Sequence, residues 1–349
     1  MSTTGMKQRC WEHDYCAPSF YMLTIVTEPR RECLSEVRGD VAAGAAATTE
    51  LAGAAPAAEL SGIALTRDKR LKLHPMGEVV QEVWRRTSSL YPGVEACECV
   101  AMPDHFHGIL WVKEPQKRHM GHIVKAFKRV STQECRSKGL LLPPNRVVAA
   151  APAGSVVAAA PAATLWEEGY QDSILLHRGQ LKAMANYIAD NPRRHALKRA
   201  NPQLFTVVHS LTVAPGRTCP AIGNRFFLDR PVKRQIQVSR SISPEALAEK
   251  QAELLYAAEH GAVLVSPCIS PGEKDIARAA LDAGLPLIVI LTNGLRPHYK
   301  PSGRYFDACA DGQLLMLAPL PYASKEAPIT RGQCLTLNEW AAAITTEEI

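Results

Sequence analysis

The sequence predicts an α+β chain of two domains, a first over residues 1–205 and an α/β second over residues 206–349. Three observations carry this reading. Val100-Ala101-Met102-Pro103-Asp104-His105-Phe106-His107-Gly108-Ile109-Leu110-Trp111-Val112 has a second half that reads as a strand carrying paired histidines. Leu181 to Pro192 reads as a helix, with Leu181, Met184, Ala185 and Ile188 at i, i+3, i+4 and i+7. Beyond residue 205, strand, helix and strand follow one another in the order of a βαβ unit.

On the strand, His105 and His107 share one face and Phe106 takes the other. Two neutral imidazoles at that spacing can grip one divalent cation. H-x-H alone is a weak signal, and a half-buried strand that merely contains two histidines has the same pattern. The helix adds to it. Tyr187 and Asn191 stand four apart and project from one face, one turn apart. Pro192 marks the expected helix end, because the residue before a proline resists the α conformation. A phenol can be a nucleophile and an amide oxygen a metal ligand, although an ordinary packing tyrosine would also fit position 187.

Met102-Pro103-x-His105-x-His107-Gly108, Trp166-x-x-Gly169-Tyr170 and Tyr187-Ile188-x-x-Asn191-Pro192 together resemble the single-tyrosine HUH transposases. Within these the chain is most similar to the REP-associated tyrosine transposases, which act on hairpin-forming single-stranded DNA. The opening, Trp11-x-His13-Asp14-Tyr15 followed by Tyr21 to Thr27 and Arg30-Arg31, fits the same family. The resemblance covers roughly residues 10–200 apart from two inserts. It implies a ferredoxin-like antiparallel sheet and a Mg²⁺ or Mn²⁺ ion on His105, His107 and Asn191. It also implies Tyr187 as the nucleophile that forms a 5′-phosphotyrosine bond. Asp104 departs from the family, which usually has Asn there. Monomer or homodimer, and use of Tyr187 in its own subunit or a partner's, stay open.

Composition sets the bounds. The 349 residues, 46% hydrophobic and 21% charged, are those of a globular chain with no apolar run long enough to span a membrane. Ten scattered cysteines contain no C-x-x-C, which argues against a zinc ribbon and against a secreted disulfide framework. Together with an opening that lacks a charged-then-apolar signal, this gives a cytoplasmic, nucleoid-associated expectation. A net charge of +6 is mildly in favour of a polyanionic partner.

Residues 41–62 are alanine-rich and nearly uncharged, and residues 146–164 contain a seven-residue duplication, Val147–Ala153 recurring as Val156–Ala162. Both read as low-complexity inserts looping out of the first domain. Such loops cost little closure entropy, which grows only logarithmically with length. Residues 76–90 are expected to be helical, with Val79, Val80, Val83 and Trp84 inward. Gly121 to about Ser137 is a second amphipathic helix, with Ile123, Phe127 and Val130 on one stripe and Lys125, Lys128 and Arg129 on another. Beside a metal-and-tyrosine site that basic row suits a DNA backbone, as do Arg193 and Arg194 with the cations after them. A merely solvated basic face is the alternative.

In the second half, Gly261–Pro267, Gly272–Ala283 and Leu285–Thr292 read as strand, helix and strand. This half loosely resembles the Rossmann-type fold of DNA-processing protein A. Ligands of such sheets bind at the carboxyl ends of strands. The loop there, with Ser270, Gly272, Glu273 and Lys274, would hold the phosphate of a nucleotide or of DNA on backbone N–H groups, or is a purely structural βα turn. No G-x-x-x-x-G-K-[ST] is present. The function expected is metal-dependent nicking and rejoining of hairpin-forming single-stranded DNA. The alternative is a non-catalytic hairpin-binding protein whose second domain senses a nucleotide.

Overall fold

A computed structural model describes residues 12–38, 70–141, 164–177, 179–324 and 328–346. Trp11 and the inserts expected over 41–62 and 146–164, save Thr164, lie outside these residues. The fold is α+β, and the chain divides into two compact units that part at Ala196/Leu197.

The first unit runs β1 (Ser19–Val26), β2 (Ser35–Val37), β3 (Leu71–Leu73), α1 (Pro75–Leu90), β4 (Val94–Ala101), β5 (His105–Val112), α2 (Gly121–Ser137) and β6 (Gln171–Ile174), then α3 (Gln180–Ala200). Four strands make an antiparallel sheet in the order β4-β5-β1-β6, and β2 pairs β3 separately. Two-residue alternation gives that sheet two apolar faces. Tyr21, Leu23, Ile25, Phe106, Leu110 and Val112 pack with Trp84 of α1 and with Ile123 and Phe127 of α2. Met22, Val100, Met102 and Ile109 face the other way and pack with Ile188 of α3.

Register is set where α1 crosses the sheet. Trp84 lies against Gly108, where an added Cβ would come within 2.7 Å of the indole. The indole N–H donates to the Cys97 carbonyl at 3.0 Å. Between Ala96 and Cys99 the β4–β5 register shifts, so Cys99 and Ala101 face α1 and α2 while Val100 and Met102 face α3.

Helix α3 overturns one expectation: it runs through Pro192 to Ala200. A proline inside a helix removes one N–H and crowds the carbonyl four residues back. Here Pro192 is buried, and the Asn191 side-chain amide donates to the Tyr187 carbonyl at 2.9 Å, adding a bond in the turn that the proline interrupts. Packing of Ile188, Ala196 and Leu197 outweighs the local preference.

The second unit comprises α4 (Pro202–Phe205), β7 (Val208–Ala214), β8 (Arg217–Gly223), β9 (Lys233–Gln235), α5 (Pro244–Glu259), β10 (Val263–Ser266), α6 (Pro271–Asp282), β11 (Leu287–Ile290), α7 (Arg304–Ala310), β12 (Leu314–Leu317) and α8 (Arg331–Ile344). Its sheet order is β7-β8-β12-β11-β10-β9. The last four of these strands are parallel, and β8 and β7 add an antiparallel edge. Every residue of β10, β11 and β12 is buried, as a strand covered on both faces requires. Leu264, Leu287, Val289 and Met316 meet α5 and α6, and Val265, Ile288, Ile290 and Leu317 meet α8. Strand β9 ends at Gln235, although Ile236 still donates to the Val265 carbonyl at 2.8 Å.

Gly108→Ala is expected to destabilise the fold by about 1–3 kcal/mol, the usual cost of overpacking a core. Chemical denaturation would show this as a lower midpoint at unchanged slope.

Candidate active site

Antiparallel pairing of β1 with β5 sets Thr24 opposite His107 and Val26 opposite His105. Both histidines lie on the α3 side of the sheet, their ring centroids 4.7 Å apart. Each has its Nδ1 engaged. The Thr24 hydroxyl is 2.9 Å from Nδ1 of His107, and an Asp104 carboxylate oxygen is 2.6 Å from Nδ1 of His105. A carboxylate only accepts, so Nδ1 of His105 carries the proton and Nε2 presents a lone pair. The Thr24 hydroxyl can donate or accept, so its contact with Nδ1 orients the His107 ring without selecting a tautomer. Backing ring nitrogens in this manner is how metal-binding imidazoles are oriented and made better donors.

Asp104 is itself held in place. Its backbone carbonyl accepts from the Thr27 N–H at 3.0 Å and from the Thr27 hydroxyl at 2.9 Å, and Arg30 lies 3.5 Å from its carboxylate. The hydrogen bond from His105, and the charge of Arg30 beyond it, hold the carboxyl below the ordinary range against the opposing effect of burial. The acid that departs from the resembled family therefore supports His105.

Tyr187 of α3 reaches this pair. Its ring centroid is 5.7 Å from that of His107, at an interplanar angle of 66°. The tyrosine is 38% exposed, whereas His107 is only 6% exposed. Asn191, one turn on and buried, directs its amide N–H₂ to the Tyr187 carbonyl, which leaves the amide oxygen as the atom suited to a cation. Among the described residues no group of three or more His, Cys, Asp or Glu is placed to hold a metal. His105 and His107 thus offer two neighbouring imidazoles, with the Asp104 carboxylate behind one of them. Imidazole nitrogens are donors that a divalent cation such as Mn²⁺ accepts, and two of them leave other coordination positions open.

The cations expected to hold DNA separate into different roles. Helix α2 packs on the sheet face opposite His105 and His107, so its basic row is not beside them. Lys125 and Arg129 line a cavity of about 960 Å³ with His122, Arg136, Trp166 and Tyr170. Lys128 lines it too, but its ammonium donates to the carbonyls of Glu167 at 2.5 Å and Gly169 at 2.7 Å. Burial lowers its pKa, so it fastens the 167–169 loop rather than standing free on a solvated face. Arg193 forks onto Asp190 at 2.6 and 3.1 Å. Arg194 is 8% exposed and sits over the Tyr187 ring, 5.7 Å from its centroid. It is thus part of the tyrosine's surroundings rather than a surface contact. The sequence contained a signal for this: Tyr187, Asp190, Asn191 and Arg194 fall at i, i+3, i+4 and i+7, a polar stripe on one face.

In the second unit, the loop expected either to hold a phosphate or to be a structural βα turn has the features of the turn. Ser270 and Glu273 form a capping box at the start of α6. A Glu273 carboxylate oxygen accepts from Ile269 at 2.7 Å and Ser270 at 3.3 Å, and the Ser270 hydroxyl accepts from the Glu273 N–H. The N–H groups of Ile269, Ser270 and Glu273 are thereby paired, and the buried Glu273 carboxylate occupies the helix N-terminus. Gly272 is packed against Val238 and Leu247, and Lys274 is exposed. The opening motif is structural as well. His13 bonds the Tyr21 hydroxyl at 2.9 Å and Tyr15 donates to Asp172 at 3.0 Å, on the side away from His107.

No family model matches the chain, and no curated protein sequence matches it. Among solved structures, it is similar to DNA processing protein A from Helicobacter pylori, described for its single-stranded DNA binding mode, at 19% identity and a TM-score of 0.31. That match covers 40% of this chain and 66% of the other, so the chain spans just under two thirds of that protein's length. It is also similar to a REP-associated tyrosine transposase bound to a REP hairpin, at 12% identity and a TM-score of 0.30, covering 56% of this chain and 74% of that one. No helix among the described residues is long and apolar enough to cross a membrane.

Asp104→Ala is expected to weaken Mn²⁺ binding about 10–100-fold, the usual effect of removing the group behind a metal-binding histidine. Asp104→Asn, which retains an acceptor oxygen, should lose less. Calorimetric titration with Mn²⁺ would measure both.

Proposed function

We propose that this chain is a metal-dependent endonuclease and strand transferase of hairpin-forming single-stranded DNA, with Tyr187 as nucleophile. The observation that carries the reading is the meeting of three side chains from separate stretches of sequence. His105 and His107 stand side by side on one strand, and the Tyr187 ring reaches His107 from α3. The ordered motifs that resemble the REP-associated tyrosine transposases support it. A divalent ion bound by His105, His107 and Asn191 supplies Lewis-acid polarisation of the scissile phosphate.

The remaining steps belong to the chain's own residues. The exposed phenol of Tyr187 loses its proton to water and its oxygen attacks phosphorus in line. A Tyr–O–P bond forms to the 5′ side as the bond from phosphorus to the 3′ oxygen breaks, and that oxygen leaves as a 3′-hydroxyl after taking up a proton. The phosphotyrosine keeps the energy of the broken diester, so a second 3′-hydroxyl can reverse the step without ATP. Asp104 and Thr24 hold the imidazoles so that little reorganisation is needed at the moment of attack. Lys125 and Arg129, lining the cavity on the other side of the sheet, contact backbone phosphates of DNA away from the scissile bond.

A labelled hairpin oligonucleotide incubated with protein and Mn²⁺ should become covalently attached. Tyr187→Phe should abolish the adduct while keeping binding, and EDTA should stop attachment until Mg²⁺ or Mn²⁺ is restored. Wild-type adduct in Tyr187→Phe would assign the nucleophile elsewhere. Binding without any adduct would leave a hairpin-binding protein. Replacing Lys125 and Arg129 together should flatten the log–log salt dependence of binding by roughly 1.4–1.8, two phosphate contacts' worth.

A further inference from the structure

We infer that Arg194 is a positioning residue for Tyr187: it holds the phenol ring in place beside His107 and makes no contact with DNA. The inference rests on the proposed role of Tyr187. A nucleophilic tyrosine must be solvent-accessible to meet its phosphate, and exposure deprives the ring of the packing that fixes most aromatic side chains. At Tyr187 two groups flank the ring: the His107 imidazole, and the Arg194 guanidinium 5.7 Å from the ring centroid. A guanidinium over an aromatic face is attracted by the ring quadrupole, and the attraction strengthens when water is excluded. The Arg194 side chain is 10% exposed, so a DNA phosphate could reach it only by displacing what covers it.

The helix makes such a brace useful. Pro192 lies between Tyr187 and Arg194 and carries no N–H, so the ladder is missing one bond in the turns that join them. The contact from residue 194 to residue 187 spans that gap through side chains. Asp190 anchors it, its carboxylate 3.9 Å from Arg194 while forking to Arg193. Tyr187, Asp190 and Arg194 therefore make a chain of side chains on one helix face, ending at the ring.

The test has two readouts. In protein labelled with ¹³C-tyrosine, the Tyr187 ring signal, identified by its absence in Tyr187→Phe, should move toward the free-tyrosine position in Arg194→Ala and return part-way in Arg194→Lys. With saturating hairpin and Mn²⁺, single-turnover adduct formation should fall up to about 100-fold in Arg194→Ala, the scale expected for small misplacement of a reacting group. Arg194→Lys should recover part of it. Hairpin affinity and its salt dependence should stay unchanged. An unmoved Tyr187 signal in both variants overturns the inference, whether or not wild type forms an adduct. So does a salt dependence flattened by roughly 0.7 or more, which would make Arg194 a phosphate contact. A moved signal together with no wild-type adduct would keep the brace and refute the nucleophile.

Discussion

The packing of Trp84 on Gly108 is the constraint on which the first unit depends. A strand's side chains alternate, so a slip of one residue would exchange the two faces of β5. It would turn Phe106 outward and bury the histidines among α1 and α2. The indole occupies the space that any Cβ at position 108 would need. Its N–H is fixed on Cys97, beside the register shift of β4. The glycine that follows His107 therefore belongs to the core, although it sits inside the motif that carries the chemistry. Placement of the imidazoles follows from a packing requirement on the opposite face.

Much of this was legible in the sequence because it is periodic. The alternation around His105 and His107, the apolar stripes of the first two long helices and the βαβ order of the second half appear close to their expected bounds. What was not legible depends on contacts between distant residues. Pro192 looked like a stop signal, since local rules cannot register the burial of Ile188, Ala196 and Leu197 along the same helix. Lys128 looked like its neighbours on the basic row until the 167–169 loop was brought against it. Arg194 was grouped with surface cations because it follows Arg193, whereas its spacing from Tyr187 is the more informative relation. The final strand, Leu314–Leu317, is too short and too uniformly apolar to be told from a piece of helix by pattern alone.

The two units handle a helix N-terminus and a ligand-ready loop in different ways. In the second, a small-residue loop leads into α6, the arrangement that in other proteins receives phosphate. Here Glu273 reaches back to supply the negative charge from within the chain, so the turn is electrostatically complete without a ligand. In the first, His105 and His107 stand beside an accessible tyrosine, with the Asp104 carboxylate behind one of them.

The inward commitment of Lys128 bears on which cations an anion can touch. The formal charge of +6 sets the field at long range, but a cation committed to carbonyls or forked onto a neighbouring carboxylate is not available for direct contact. Lys128, Arg193, Arg234 and Arg278 are all engaged in this way. Exposed cations such as Lys125 and Arg129 remain for such contact. What an anion could grip at close range then depends more on where the uncommitted cations lie than on how many the sequence holds.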